Sequence, residues 1–146
     1  MEQTTVYAHL PEGIELEYAK PGDAGMDLRS AEESFVLTPG EIRRVKTGVN
    51  LAIPEGLFGM VVPRSGNASR GLGVANSPGI VDSGYRGDVS VLLYNLTLDK
   101  EIHVSFNDRI AQIVFVPYAT VSVHATPLPL PSSLRGESGF GSTGVS

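Results

Sequence analysis

The stretch Val49-Asn50-Leu51-Ala52-Ile53-Pro54-Glu55-Gly56-Leu57-Phe58-Gly59-Met60-Val61-Val62 decides the fold class. Two short runs rich in Val, Ile, Leu and Phe flank Pro54-Glu55-Gly56. That tripeptide reads as a turn, because proline fixes φ and glycine accepts positive φ. The same unit recurs in both directions. Pro11-Glu12-Gly13, Pro21-Gly22-Asp23, Pro39-Gly40 and Pro78-Gly79 are further turn signals. Between them lie apolar runs at residues 4–10, 35–37, 41–46, 89–95, 102–104, 110–116 and 121–125. Strands of about five residues between regular turns predict an all-β sandwich or barrel. No amphipathic helix of useful length is visible; one helical turn is expected at residues 66–70, after Pro63-Arg64-Ser65.

Two of the runs scarcely alternate. Val89-Ser90-Val91-Leu92-Leu93-Tyr94 and Ile110-Ala111-Gln112-Ile113-Val114-Phe115-Val116 are apolar on both faces, whereas a half-exposed strand alternates. Either a two-sheet core covers both faces, or some outward faces are buried between subunits.

The chain has 146 residues, which fits one domain. It contains no cysteine, which excludes disulfides, thiolate metal sites and a cysteine nucleophile. The formal net charge is −5, and no basic run exceeds Arg43-Arg44-Val45-Lys46. A nucleic-acid partner is therefore not expected. The start, Met1-Glu2-Gln3-Thr4-Thr5, has neither the basic nor the apolar region of a secretory signal. No apolar run approaches the ~18 residues of a membrane span, so a soluble, cytoplasmic protein is expected, with no membrane partner.

Residues 1–125 read as the all-β body and 126–146 as a separate arm. Pro127, Pro129 and Pro131 lack N–H donors, so this segment cannot pair as a central strand. Arg135-Gly136-Glu137-Ser138-Gly139-Phe140-Gly141-Ser142-Thr143-Gly144 has the composition of a flexible tail. A lone Arg and a lone Phe among glycines sit oddly in a pure linker, since glycine lets a backbone approach an anion closely.

Several residues can carry chemistry. Pro63-Arg64-Ser65-Gly66 offers a guanidinium fork, a hydroxyl and free N–H groups, an anion site or an ordinary turn. Asp82, in Gly79-Ile80-Val81-Asp82-Ser83-Gly84-Tyr85-Arg86-Gly87-Asp88, either serves a hairpin turn or aims a carboxylate at water or a sugar hydroxyl. Tyr85 offers a flat face. Asp27, in Ala24-Gly25-Met26-Asp27-Leu28, sits at a strand end or holds Mg²⁺. Asp108-Arg109 reads as a surface ion pair at a strand start. Gln112 needs a polar partner if buried. His9, His103 and His124 have no metal-ligand spacing.

Taken in order, these segments resemble the motif series of the trimeric dUTPase family, from near residue 5 to the C-terminus. The resemblance implies a jelly-roll-like subunit, a homotrimer with active sites shared between subunits, and a tail that closes over a site. It implies hydrolysis of dUTP to dUMP and pyrophosphate, which limits uracil incorporation into DNA and supplies dUMP for thymidylate synthesis. Asp82 matches the residue that activates water for attack on the α-phosphorus. Tyr85 would pack under the deoxyribose and reject a 2′-hydroxyl. Gly79 and its neighbours would read uracil, with Asn76 as side-chain partner and Phe140 stacked above. Arg64, Ser65, Gly66 and Gln112 would contact the phosphates. Arg135, Gly141, Ser142 and Thr143 would clamp the γ-phosphate. Asp27 would hold Mg²⁺ through its waters.

The chain departs from the family at Asn67, where an apolar residue is commoner, and in the length of the stretch up to Ala75, which affects the register of Asn76. The rival dCTP deaminases resemble this fold but carry a Glu ten residues after the Asp matching Asp82. Here that position is Leu92, which cannot act as an acid or base. A non-catalytic trimeric binding or signalling module would need neither Asp82, nor Tyr85, nor the Gly-rich tail.

Overall fold

Between Gln3 and Gly141, the residues described by the computed structural model, the chain forms eleven strands and one short helix. They are β1 (Tyr7–His9), β2 (Gly25–Arg29), β3 (Phe35–Leu37), β4 (Ile42–Val45), β5 (Asn50–Ala52), β6 (Leu57–Val62), α1 (Ser65–Ser69), β7 (Leu72–Val74), β8 (Gly79–Val81), β9 (Val91–Asn95), β10 (Ile102–Val104) and β11 (Arg109–Pro117). The all-β expectation holds, and the architecture is the jelly-roll-like one that the motifs implied. Every strand pair is antiparallel. A four-stranded sheet runs β2-β11-β6-β8 and a three-stranded sheet runs β4-β9-β7. Two small sheets, β1-β5 and β10-β3, complete the body.

The expected single helical turn is α1. The expected strand at residues 121–125 is absent. Val121 and Val123 are 73% and 88% exposed, and no described segment of the chain lies beside them to satisfy their backbone groups. Three strands escaped the sequence reading as defined elements. β7 and β8 are only three residues long and each contains glycine, and β2 carries Asp27 and Arg29 among its apolar residues.

The core sits between the sheets and is built from Val, Leu and Ile. Leu28, Leu37, Val45, Val91, Leu93, Ile110 and Ile113 are essentially inaccessible. Each such side chain contributes about 1.5–3 kcal/mol of burial free energy. Asn95 is also fully buried and fully bonded. Its Nδ2 donates to the carbonyls of Leu37 (2.9 Å) and Lys100 (2.7 Å), and its Oδ1 accepts from Thr97 N (2.9 Å) and Oγ1 (2.7 Å). At the turn before β4, Glu41 accepts from Thr38 N (2.8 Å) and Oγ1 (3.0 Å), and these bonds hold its carboxyl below the usual range.

Of the two strands that read as apolar on both faces, β9 buries one face fully and the other in part, whereas β11 is buried at Ile110, Ala111 and Ile113 and only partly buried from Val114 to Val116. On β9, Val91, Leu93 and Asn95 are buried, while Leu92 and Tyr94 are half-buried. Nearby, Ile42, Ile80 and Leu96 are more than half exposed. No helix among the described residues is long and apolar enough to cross a membrane. Beyond Pro117 the described chain has neither helix nor strand, and nearly all of it is exposed.

Candidate active site

The segment after β8 carries Asp82 out of one sheet toward another. β8 pairs with β6, whereas β9 pairs with β4 and β7, so no β8–β9 hairpin exists. The hairpin reading of Asp-Ser-Gly is thereby corrected: its glycine makes a tight turn, but the turn leads across the core. The Asp82 carbonyl accepts from Tyr85 N at 3.1 Å, which closes the turn. The Asp82 carboxylate is exposed and has no hydrogen bond or ion pair among the described residues.

Tyr85 is fixed in place. Its hydroxyl donates to the Asp88 carbonyl at 2.8 Å, and its ring lies on Gly87. A Cβ at Gly87 would meet the Tyr85 hydroxyl at 2.5 Å and Cζ at 2.7 Å, so only glycine admits the ring there. Asp88 anchors the far end of the segment. Its carboxylate accepts from Gly48 N (2.7 Å), Ser90 Oγ (2.6 Å) and Thr47 N (3.4 Å). Asp82, Tyr85, Asp88 and Leu92 share the wall of a cleft of about 380 Å³ with Arg44. Asn76 packs against Gly79, at the opposite end of β8 from Asp82: a Cβ on Gly79 would lie 3.2 Å from Asn76 Nδ2.

A second constellation forms where β2, β11 and the end of β6 meet α1. Asp27, Arg64, Ser65, Gly66, Arg109 and Gln112 line a pocket of about 520 Å³. Pro63 ends the strand and Arg64, extended at φ −83 and ψ 140, is the N-cap of α1. Arg64 Nε donates to Asp27 Oδ1 at 2.8 Å, and Arg109 Nε stands 3.8 Å from Oδ2. Gln112, half-buried, donates to the Pro63 carbonyl at 3.0 Å. Its amide fills the space a side chain at residue 25 would take, since a Cβ on Gly25 would overlap Gln112 Oε1. This constellation can bind a polyanion through charged forks and an amide.

Asn67, the departure from the family pattern, is 7% exposed, and its side chain is fully engaged. Nδ2 donates to the Arg109 carbonyl at 2.9 Å, and Oδ1 accepts from Arg70 Nε and an Arg70 terminal nitrogen at 3.3 Å each. A buried amide is tolerable only when it is bonded in this way.

Among the described residues no three His, Asp or Glu side chains cluster to hold a metal. Mg²⁺ nevertheless suits a lone carboxylate, because it keeps several waters and takes substrate phosphates as further ligands. Asp27 is such a carboxylate, partly exposed (28% for its side chain) inside the anion pocket. The donor set fits an ion held through water.

The two constellations stand apart within one chain. β8 pairs with β6 so that Val81 faces Gly59, and Asp82 lies near Phe58. Arg64 lies six residues further along, about 20 Å at ~3.3 Å per residue. The arm reaches neither. Arg135 Nε donates to the Ser138 carbonyl at 2.7 Å, Phe140 is fully exposed and Gly141 is exposed. Ser142 and Thr143 lie outside the described residues.

Sequence reading undervalued two residues. Arg109 pairs with Asp27 and not with its neighbour Asp108, which accepts from Ser105 N at 2.8 Å and closes its own turn. Asp88 anchors the Tyr85 segment. Gln112 was the available signal for Arg109, since a residue three positions along a strand from a pocket amide is close to that pocket. Nothing local marks Asp88 as an anchor, since its backbone partners at Thr47 and Gly48 lie about forty residues away.

Comparison with known proteins agrees along almost the whole chain. The dUTPase family model matches residues 12–144. Deoxyuridine 5'-triphosphate nucleotidohydrolase of Cutibacterium acnes is 47% identical over 130 residues, covering 88% of this chain and 84% of that protein. Its counterpart in Leifsonia xyli subsp. xyli is 48% identical over 128 residues, covering 87% and 83%. Among solved structures, the Staphylococcus bacteriophage 80alpha dUTPase with dUpNHpp superposes with a TM-score of 0.87 at 30% identity, covering 98% of this chain and all of that one. A mutant dUTPase from phage phi11 of S. aureus, described as revealing the coordination of a structural Mg(II) ion, gives a TM-score of 0.76 at 26% identity, covering 84% and 97%. Carrying this family's motifs in order on its fold, the chain belongs to the dUTPase family.

Proposed function

We propose that the chain hydrolyses dUTP to dUMP and pyrophosphate. The observation that carries this reading is the Asp82 carboxylate, unpaired among the described residues and exposed in a cleft walled by Tyr85. Relatives named for the same reaction, and a solved neighbour holding dUpNHpp, support it. Asp82 orients a water and accepts its proton as the oxygen attacks the α-phosphorus. The bond from that phosphorus to the oxygen bridging to the β-phosphorus breaks, and pyrophosphate leaves. Tyr85 underlies the sugar, the backbone from Gly79 reads uracil with Asn76, and Arg64, Ser65, Gly66 and Gln112 bind the phosphates. Asp27 would hold Mg²⁺ through water, and the ion would neutralise charge on the phosphates and the leaving group.

The separation of its parts supports a site shared between the subunits of a homotrimer. Once water on Asp82 attacks the α-phosphorus, the β- and γ-phosphates lie only a few ångström further on. An Arg64 about 20 Å away along β6 does not reach them, and the Arg64 of a neighbouring subunit does. Residues 1–125 form the body, and the arm, 126–146, closes over a site with Arg135, Phe140, Gly141, Ser142 and Thr143 on the nucleotide. Such closure excludes water from the reacting phosphates. The half-exposed apolar residues Ile42, Leu92, Tyr94 and Leu96 belong to subunit contacts. A cytoplasmic location suits an enzyme whose substrate is an intracellular nucleotide.

The deaminase reading meets a specific obstacle: Leu92 lines the same cleft as Asp82 and offers no acid or base. Product analysis with dUTP, dCTP, UTP and dTTP, each with Mg²⁺ or chelator, tests both readings. The expected result is Mg²⁺-dependent dUMP and pyrophosphate from dUTP alone. Ammonia from dCTP would instead establish the deaminase, and no turnover of any nucleotide would leave a binding module.

A further inference from the structure

Four of the chain's eight arginines converge on one place. Arg29, Arg64, Arg70 and Arg109 line a shallow pocket of about 360 Å³, completed by Asn107 and Asp108. The crowding is notable in a chain whose net charge is −5. Guanidinium groups stay protonated throughout the accessible pH range, so four together repel unless countered. Few countercharges are present. Asp27 is shared between Arg64 and Arg109, and the Asp108 carboxylate accepts from Ser105 N.

The arginines are held in place. Arg29 donates to the Asn107 carbonyl at 3.0 Å. The buried Asn67 amide binds Arg70 through Oδ1 and the Arg109 carbonyl through Nδ2, which fixes both sides of the pocket from beneath. Each arginine carries five N–H donors, so these bonds leave donors over for a ligand. Arg64 and Arg109 also line the larger pocket that holds Asp27 and Gln112, so the two pockets adjoin.

We propose that Arg29, Arg70 and Arg109 form a second anion subsite, beside the triphosphate pocket and across Arg64 from it, that binds a pyrophosphate-class anion. The assignment of the adjoining pocket to the triphosphate rests on the function proposed above. Bidentate guanidinium–phosphate pairing supplies the affinity. The subsite gives released pyrophosphate a place to sit while the triphosphate pocket refills, so product and substrate analogue bind together.

The test is a calorimetric titration of inorganic pyrophosphate into the full-length protein saturated with dUpNHpp. The expected result is one pyrophosphate bound per chain. Arg29→Ala combined with Arg70→Ala weakens that binding at least about tenfold, as the loss of charge-assisted bonds demands, and leaves dUpNHpp affinity within about twofold. Asn67→Leu, which frees Arg70 but keeps a buried side chain of similar size, weakens pyrophosphate binding and serves if the double variant is unstable. No pyrophosphate binding in the presence of dUpNHpp, or unchanged affinity in the variants, overturns the proposal. If the wild-type chain binds no dUpNHpp, the proposed function fails instead, and the same pyrophosphate titration of the free protein and its variants still decides the subsite.

Discussion

The Asp27 carboxylate accepts a 2.8 Å hydrogen bond from Arg64 Nε, and this bond joins an acid of the anion pocket to its leading cation. Because Nε is the donor, the two terminal nitrogens of Arg64 remain available to form a fork for a phosphate. Asp27 therefore aims Arg64, in addition to the role toward Mg²⁺ proposed for it above. Asp27→Asn keeps an acceptor oxygen but removes the charge. The Mg²⁺ concentration for half-maximal activity is expected to rise, and KM for dUTP to rise about tenfold, the scale of a charge-assisted bond. Stability should scarcely change, since both side chains are nearly 30% exposed. Steady-state kinetics across a Mg²⁺ series, paired with a melting curve, check both parts.

Asp82→Asn should bind dUpNHpp normally and lose about two to four orders of magnitude in turnover, the range for a positioned general base. The amide preserves shape but cannot take the water's proton. Its carboxylate has no bond to the protein among the described residues, so the substitution disturbs no contact of the fold. Single-turnover measurement with Mg²⁺ is the check, and near-normal turnover would remove Asp82 as the base.

Tyr85 and Gly87 act as a pair. Tyr85→Ala should admit UTP, while Tyr85→Phe, which loses only the 2.8 Å bond to the Asp88 carbonyl, should stay selective for the deoxy sugar. Gly87→Ala provides an independent route to the same phenotype. Its Cβ would come within 3.0 Å of three Tyr85 ring and hydroxyl atoms and push the ring off its seat. The ratio of kcat/KM for dUTP to that for UTP is the readout, and a ratio unchanged by both Tyr85→Ala and Gly87→Ala would move sugar selectivity elsewhere.

How far the sequence alone reached is clear from particular segments. β3, β6 and β10 were legible to the residue, because an apolar run bounded by a proline–glycine turn (β3, β6) or by charged and polar residues (β10) leaves little choice of ends. The Asp82, Arg64 and Gln112 segments were legible as chemistry because each sets a polar residue into an apolar context. The β8-to-β9 crossing was not legible: a tight Asp-Ser-Gly turn looks the same whether the next strand pairs beside it or in another sheet. The ion pair of Arg109 with Asp27 was equally hidden, since it depends on β11 pairing with β2, a long-range register that no local signal fixes. The strand expected at 121–125 failed for the opposite reason. Local propensity favoured it, but the chain offers it no partner.

Deleting residues 135–146 should leave the oligomer intact and abolish most hydrolysis. The arm is almost wholly exposed up to Gly141, so the body loses little packing with it. Light scattering for mass and a pyrophosphate-release assay for activity separate the outcomes. A truncated chain that fell apart into monomers would make the arm a strap before it is a lid.

The spacing that β6 imposes between Asp82 and Arg64 also bears on genetics. In the shared site proposed above, a chain with a lesion in one of these two places still contributes the other, intact, to its neighbours. Inactive Asp82→Asn and Arg64→Ala chains, mixed and reassembled, should therefore restore a predictable fraction of sites, and two damaged alleles in one cell could together support growth where neither does alone.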